Sequence, residues 1–163
     1  MPDKAFTITE KTALRAWLKM LGTTGQMRKQ LQARLMDAHG ISLARFDVLA
    51  NLYRAPKGGM RLSDLSKKLM VSNGNVTQVV APLVRDGFII RRASKTDARV
   101  ATAELSEKGL TVFEAMAADH AKWVTELLSG ASTAEQETIT DILGQIGPPE
   151  SAPQLAPKST TEQ

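Results

Sequence analysis

The longest apolar pattern in the chain runs from Thr7 to Gly40, and its repeat is that of an α-helix. Thr7-Ile8-Thr9-Glu10 has the form of a capping box, and glycine suits the left-handed residue that follows a helix end. Apolar residues recur between them at steps of three and four: Leu14, Trp17, Leu18, Leu21, Leu31 and Leu35. About 30 residues form a helix roughly 45 Å long, which is too long for the interior of a small domain. We therefore expect a second chain or subdomain to cover part of this stripe.

Three shorter helices are predicted next, each opened by a serine. Ser42 caps a helix that ends before Pro56, and Ser63 caps a short third helix. Ser72 starts a fourth helix after a tight turn, and Gly87 closes it. The predicted buried stripe of that helix is Val76, Val79, Val80 and Leu83.

The period then changes to that of β-structure. Residues 88–92 and 100–105 read as two short strands around a charged loop at 93–99. Together with the helices, this predicts a mainly α fold with a small β-hairpin, an α+β class.

Helices return in the C-terminal part of the sequence. Ser106 caps a second long helix, and Ser132-x-x-Glu135 is a capping box that opens a last one. Gly147-Pro148-Pro149 ends the pattern, and residues 147–163 are expected to be a disordered tail.

Composition argues against several classes of site. The chain has no cysteine and only two histidines, so neither a catalytic residue, a metal site nor a cofactor is expected. No apolar run reaches the ~18 residues that cross a bilayer, and the N-terminus lacks the apolar core of a secretory signal. A soluble, cytoplasmic protein without a membrane partner is expected.

The order of the elements indicates a helix-turn-helix followed by a β-wing, in which the second helix enters the major groove of double-stranded DNA. Charge agrees with such a partner, because residues 1–104 are predominantly basic while residues 105–163 are predominantly acidic. Solvated helix faces are the alternative explanation of that charge.

The outward residues at the start of the fourth helix are the candidates for reading bases. Asn and Gln can bond adenine, and Thr offers a hydroxyl and a methyl group. These candidates are Asn73, Asn75, Thr77 and Gln78. Ser63 and Ser72 are expected to donate to phosphates. An ordinary solvated helix start is the alternative, since Ser, Asn and Gly also favour caps.

The wing concentrates positive charge on a small hairpin. Arg91, Arg92, Lys95 and Arg99 are expected to reach a neighbouring minor groove, where arginine is attracted by the negative potential. Asp97 lies two residues before Arg99 and is expected to orient its guanidinium. A solvated charged hairpin is the alternative.

A linked set of motifs resembles the MarR family of winged helix-turn-helix regulators over residues 9–146. The matching segments are Leu62-Ser63-Asp64-Leu65-Ser66-Lys67-Lys68-Leu69, Val76-Thr77 through Leu83, Gly87-Phe88-Ile89, Arg91-Arg92, Asp97-x-Arg99 and Leu105-Ser106-Glu107-Lys108-Gly109. The resemblance implies a homodimeric repressor that binds a pseudo-palindromic operator. It also implies an arm at 1–8, dimerisation helices at 9–40 and 106–146, and a DNA-binding lobe at 41–105.

The resemblance further implies a small aromatic effector between the dimerisation helices and the lobe. Leu69 to Thr77, with Arg45-Phe46-Asp47, resembles members that control aromatic-acid catabolism, some of which respond to an aromatic acyl-CoA. Candidate effector contacts are Trp17, Met20, His39, Arg45, Phe46, Met116 and Trp123. Core packing is the alternative for the Trp and Met residues, and charge complementarity to the helix end is the alternative for His39.

One residue departs from the family pattern. Pro82 lies inside the fourth helix, where it removes a backbone hydrogen bond, so a kink is expected and regular helix is expected to end there. With the acidic C-terminal part, Pro82 supports an alternative function as a winged-helix protein-interaction module without sequence-specific DNA binding.

Overall fold

The computed structural model describes residues 6–69, 72–93 and 101–146. The elements are α1 (Ile8–His39), α2 (Leu43–Tyr53), β1 (Met60–Arg61), α3 (Leu62–Leu69), α4 (Asn73–Arg85), β2 (Ile89–Ala93), β3 (Ala101–Leu105), α5 (Glu107–Leu127) and α6 (Thr133–Gln145). This confirms the mainly helical fold with a small sheet. The predicted tail at 147–163 lies outside the described residues.

The predicted caps set the ends of the long helices. At the start of α1, the Glu10 amide donates to Thr7 Oγ1 (3.2 Å) and the Thr7 amide donates to Glu10 Oε2 (2.7 Å). Ser132 and Glu135 form the same reciprocal pair at the start of α6. Gly40 ends α1 with a φ of 63°, the left-handed region that glycine favours. Local side-chain chemistry therefore determines these boundaries.

The sheet contains one strand that the sequence pattern did not predict. Its order is β1-β3-β2, all antiparallel, with Met60 opposite Ala103 and Ile90 opposite Glu104. The chain passes directly from β1 into α3, which begins at Leu62. The prediction that Ser63 caps α3 is therefore wrong, since Ser63 already lies in the first turn.

Pro82 does not end α4, and this part of its prediction is also wrong. The helix continues to Arg85, and the Asp86 amide donates to the Pro82 carbonyl (2.8 Å). Proline lacks only the amide that would reach back one turn, so hydrogen bonds to carbonyls from Pro82 onward are still available. Gly87, with a φ of 79°, closes the end as predicted.

A single hydrophobic core joins five of the six helices. Its fully buried side chains come one from each of α1 to α5: Leu35, Leu49, Leu65, Leu83 and Met116. The central position of α4 in this core follows from its valines, because Val76 and Val80 are also buried. The helix-turn-helix and the long helices are thus packed as one unit.

Two apolar faces remain outside this core. On α1 only the distal part of the stripe is buried, at Leu31 and Leu35. The large apolar side chains that stay exposed on the first half of α1 are Ile8, Leu14, Trp17, Leu18 and Leu21, and those on α6 are Ile139, Ile142 and Leu143. No residue of α6 is buried. One chain therefore leaves much of both helices uncovered, as the length of α1 predicts.

None of the helices in the described ranges combines the length and the hydropathy needed to cross a membrane.

Candidate nucleic-acid interface

Helix α4 separates its buried residues from its exposed residues. Val76 and Leu83 are completely buried, whereas Asn75, Thr77 and Gln78 are exposed on the opposite side. We call these three exposed residues the reading face. Asn73 is the first residue of α4, and its side chain lies outside the described part.

Ser72 fixes the start of the reading face. Its Oγ accepts a hydrogen bond from the Asn75 amide (3.3 Å), as the predicted cap requires. A serine hydroxyl that accepts one bond can still donate its own hydrogen, so this cap leaves Ser72 able to bond a phosphate. Ser63 is exposed on α3, where its carbonyl accepts from Ser66 Oγ (2.8 Å).

The wing carries an ion pair that the sequence reasoning missed. Arg92 donates to Glu104 Oε1 through both Nε (2.8 Å) and Nη2 (2.6 Å). Arg92 lies opposite Thr102 in the sheet, and Glu104 is its diagonal neighbour on the same face. The pairing register would have identified Glu104, but periodicity alone does not fix a register.

The other predicted wing residues are placed only in part. Arg91 is exposed on β2. Lys95, Asp97 and Arg99 lie outside the described residues, so the expected contact between Asp97 and Arg99 stays a prediction.

Further exposed basic residues were not singled out by the sequence reasoning. Lys67 and Lys68 end α3, which is the first helix of the helix-turn-helix, and Arg61 lies on β1. The first helix of such a motif crosses the DNA backbone, so basic side chains there are suited to phosphates. Their position in the Leu62–Leu69 segment was the available signal.

The predicted effector residues fall into separate places within one chain. Phe46 and Met116 are buried in the core, as the packing alternative allows. His39 lies against Trp123, with ring centroids 6.2 Å apart, where α1 meets α5. Trp17 is 56% exposed and lines a shallow groove near the start of α1 with Phe6, Glu10, Ala13 and Leu14. The helix rise places Trp17 roughly 33 Å from His39 along α1, so one chain does not bring the whole set together.

Met20 and Arg45 are half-buried. The Arg45 amide donates to Ser42 Oγ (3.3 Å), which forms the predicted cap of α2.

Polar groups also join α5 to α1 and α2. The pKa of Asp119 is lowered chiefly by a hydrogen bond from Lys122 Nζ (3.2 Å), with a smaller effect from His39 Nε2 at 3.1 Å. Burial lowers the pKa of His120, whose ring stacks on Phe46 with centroids 4.5 Å apart. The contact between the long helices and the lobe is therefore partly polar.

A second such contact links α1 to α2. Burial raises the pKa of Asp47, against the opposing attraction of Arg28 at 3.8 Å. Next to it, the Leu43 amide donates to Gln32 Oε1 (2.8 Å). Side chains of α1 therefore hold the first turn of α2.

Comparison with known proteins gives consistent matches. Residues 41–101 match the model of the MarR family. The transcriptional regulator MhqR of Bacillus subtilis is 36% identical over 109 residues, which are 67% of this chain and 74% of that protein.

Solved structures share the fold. A MarR family transcriptional regulator from Silicibacter pomeroyi is 31% identical, with a TM-score of 0.72 over 86% of this chain and 96% of that chain. A MarR family regulator from Streptomyces coelicolor, solved in complex with DNA, is 20% identical. Its TM-score is 0.74 over 91% of this chain and 94% of that chain, which shows likeness of fold.

The ion pair in the wing generates a first prediction. Glu104→Gln keeps the shape of the side chain but removes the charge that holds Arg92. We expect the affinity for random-sequence duplex DNA to rise at low salt, because Arg92 is released to a phosphate. The slope of log affinity against log salt should steepen by about 0.9, the value for one phosphate contact. Fluorescence anisotropy across a salt series measures both quantities.

Glu114→Gln is the matched control, because it changes net charge equally at an exposed position of α5. Its slope should equal that of the unchanged protein. Equal slopes in all three proteins would contradict the role given to Arg92.

Proposed function

Because the chain belongs to the MarR family, we propose that it is a repressor that binds a pseudo-palindromic operator as a homodimer. We propose further that a small aromatic acid, or its CoA thioester, releases it from DNA. The observation that carries the proposal is the division of α4 into a buried side and the polar reading face. The family comprises transcriptional regulators, and no catalytic role is part of the proposal.

Base recognition is assigned to the start of α4. An α-helix fits the major groove, where Asn75 and Gln78 can bond adenine and Thr77 can contact a base edge. We include Asn73 as the first residue of that helix. Ser63, Ser72, Arg91 and Arg92 are proposed to bind the backbone or the minor groove, together with Lys95, Asp97 and Arg99 of the wing tip.

The uncovered faces of α1 and α6 support a homodimer. Both present large apolar side chains to solvent in one chain. Their charges are complementary: α1 carries Lys11, Arg15 and Lys19 in its first half, while α6 carries Glu135, Glu137 and Asp141. We propose that residues 9–40 and 106–146 form the dimer and that residues 41–105 form the DNA-binding lobe. Two lobes would then read half-sites about 34 Å apart, one turn of DNA.

We place the effector where the long helices meet the lobe. His39 and Trp123 are half-buried there, so an aromatic acid could reach both. Arg45 supplies a positive charge on α2 for a carboxylate. Trp17 and Met20 belong to the site only if the second chain brings them close.

The protein-interaction module remains the alternative, but its support is weaker. Pro82 leaves α4 intact through Arg85, so it does not distinguish this helix from one that reads DNA. The acidic C-terminal part also suits pairing with the basic start of α1 in a dimer.

Gln78→Ala tests base recognition. We expect discrimination to relax at one position of each half-site by about 1–3 kcal/mol, the usual value of a bidentate base contact. Selection of bound sequences from a random duplex pool, followed by affinity measurements on single-base variants, provides the comparison. Gln30→Ala, at an exposed position of α1, should keep the preferences of the unchanged protein. Weak binding that ignores both sequence and salt in the unchanged protein would instead favour the interaction module.

Leu18→Asp tests the dimer. Leu18 is 63% exposed on α1, and a carboxylate placed there in an apolar interface is costly to bury. We expect the variant to be monomeric at micromolar concentration and to lose operator affinity, as judged by sedimentation velocity and anisotropy. Thr23→Asp is the control, since it lies roughly 140° around the helix and should remain dimeric. A dimeric Leu18→Asp protein would refute this interface.

Thermal-shift screening tests the effector. A ligand of the folded state at 100 times its Kd stabilises by about 2.7 kcal/mol. We expect aromatic acids or their CoA thioesters to raise Tm and to lower operator affinity, whereas aliphatic acids of the same charge do neither. A rise in Tm without release from the operator would contradict the proposed mode of regulation.

A further inference from the structure

The C-terminal end of α4 is fastened to the first turn of α5 by contacts that the function proposed above does not use. We propose that Lys108 and Gly109 are positioning residues of the DNA-binding site, which hold α4 and the start of α5 as one rigid body. We call the contact between residues 86–88 and 106–109 the α4–α5 joint. This inference rests on the proposed DNA-binding function.

The joint satisfies carbonyl groups that a helix end leaves without partners inside the helix. The Asp86 carbonyl accepts from Lys108 Nζ (2.8 Å), and the Gly87 carbonyl accepts from Ser106 Oγ (2.6 Å). The Phe88 carbonyl accepts from the Ser106 amide (3.0 Å). Three successive carbonyls after α4 are therefore bonded by the segment that starts α5.

Gly109 allows the two segments to approach this closely. A Cβ atom at this position would lie 2.0 Å from the Phe88 carbonyl oxygen, a distance at which backbone would have to move. The Gly109 amide also donates to Ser106 Oγ (2.9 Å), so the serine caps α5 and bonds Gly87 with the same oxygen.

Lys108 adds a second contact to the same joint. Its Nζ lies 4.9 Å from the centroid of the Phe88 ring, within the range of a cation–π interaction. One ammonium group thus holds both the backbone of Asp86 and the ring of Phe88. Lys108 lies beyond the C-terminal end of α4, whereas the reading face is near the start of that helix.

The rest of α5 connects the joint to the core. Phe113 stacks on Phe46 of α2 with centroids 5.6 Å apart, and Met116 is buried. Helix α4 is about 20 Å long, so a small rotation at the joint moves the reading face by a larger distance. The joint therefore determines where the long helices place the reading face.

The test uses Lys108→Met in the full-length protein with a duplex selected by the unchanged protein from a random pool. We expect operator affinity to fall roughly tenfold, which is the factor that corresponds to about 1.4 kcal/mol. The slope of log affinity against log salt should not change, because Lys108 bonds the protein backbone and not a phosphate. Discrimination against operators whose half-site spacing is altered by one base pair should weaken, because the two reading faces are no longer held rigidly.

The controls separate positioning from charge and from stability. Lys122→Met makes the same substitution on α5, where the ammonium group lies 3.2 Å from Asp119, and should leave affinity and spacing preference unchanged. Lys108→Arg keeps a cation at the joint and should restore most of the affinity. Gly109→Ala should lower affinity further, and Lys108→Met decides the matter if that variant does not fold.

Three results would overturn the inference. A slope reduced by about 0.9 would make Lys108 a phosphate contact. A lowered Tm with unchanged affinity and spacing preference would make it a purely structural residue. Hydrogen exchange measures the joint without DNA: Lys108→Met should accelerate exchange at the amides of Phe88 and Ser106, and unchanged exchange would refute the joint. If the unchanged protein binds no duplex selectively, the proposed function fails, while hydrogen exchange still tests the joint.

Discussion

The structure depends on one hydrophobic core to which five helices each contribute a fully buried side chain. Leu83 on the inner side of α4 lies in the same cluster as Leu35 of α1 and Met116 of α5. Large-to-small changes in such cores usually cost 2–5 kcal/mol, so none of these helices can shift without affecting the others. The position of the polar residues on α4 is therefore coupled to the long helices by packing. A surface patch on a separate, tethered domain would lack that coupling.

Much of this fold was predictable because local chemistry determines it. Ser42, Ser72 and Ser106 cap helices where the sequence predicted caps, and the change from helical to strand period located the hairpin within one residue. The buried side of α4 also followed from spacing. The mainly α class, the order of the long helices and the polar start of α4 are therefore readable from the sequence.

The parts that were missed depend on contacts between residues that are distant in the chain. Strand β1 is only two residues long and exists because β3 pairs with it, so it has no periodic signal of its own. The pair of Arg92 and Glu104 depends on the strand register, and Ser63 lost its expected capping role when β1 led directly into α3. The role of Pro82 was overestimated, because a proline disturbs only the preceding turn of a helix. The predicted effector residues were grouped by type, and one chain separates Trp17 from His39.

The division of α4 into two sides also has an evolutionary consequence. The exposed residues Asn75, Thr77 and Gln78 are interleaved in sequence with Val76 and Val80, yet only the valines contribute to the core. Exposed substitutions away from special features usually change stability by less than about 0.5 kcal/mol. Recognition can therefore diverge by single exchanges at these three positions while the scaffold is retained. Duplicated copies of such a gene can acquire new targets without passing through an unfolded intermediate sequence.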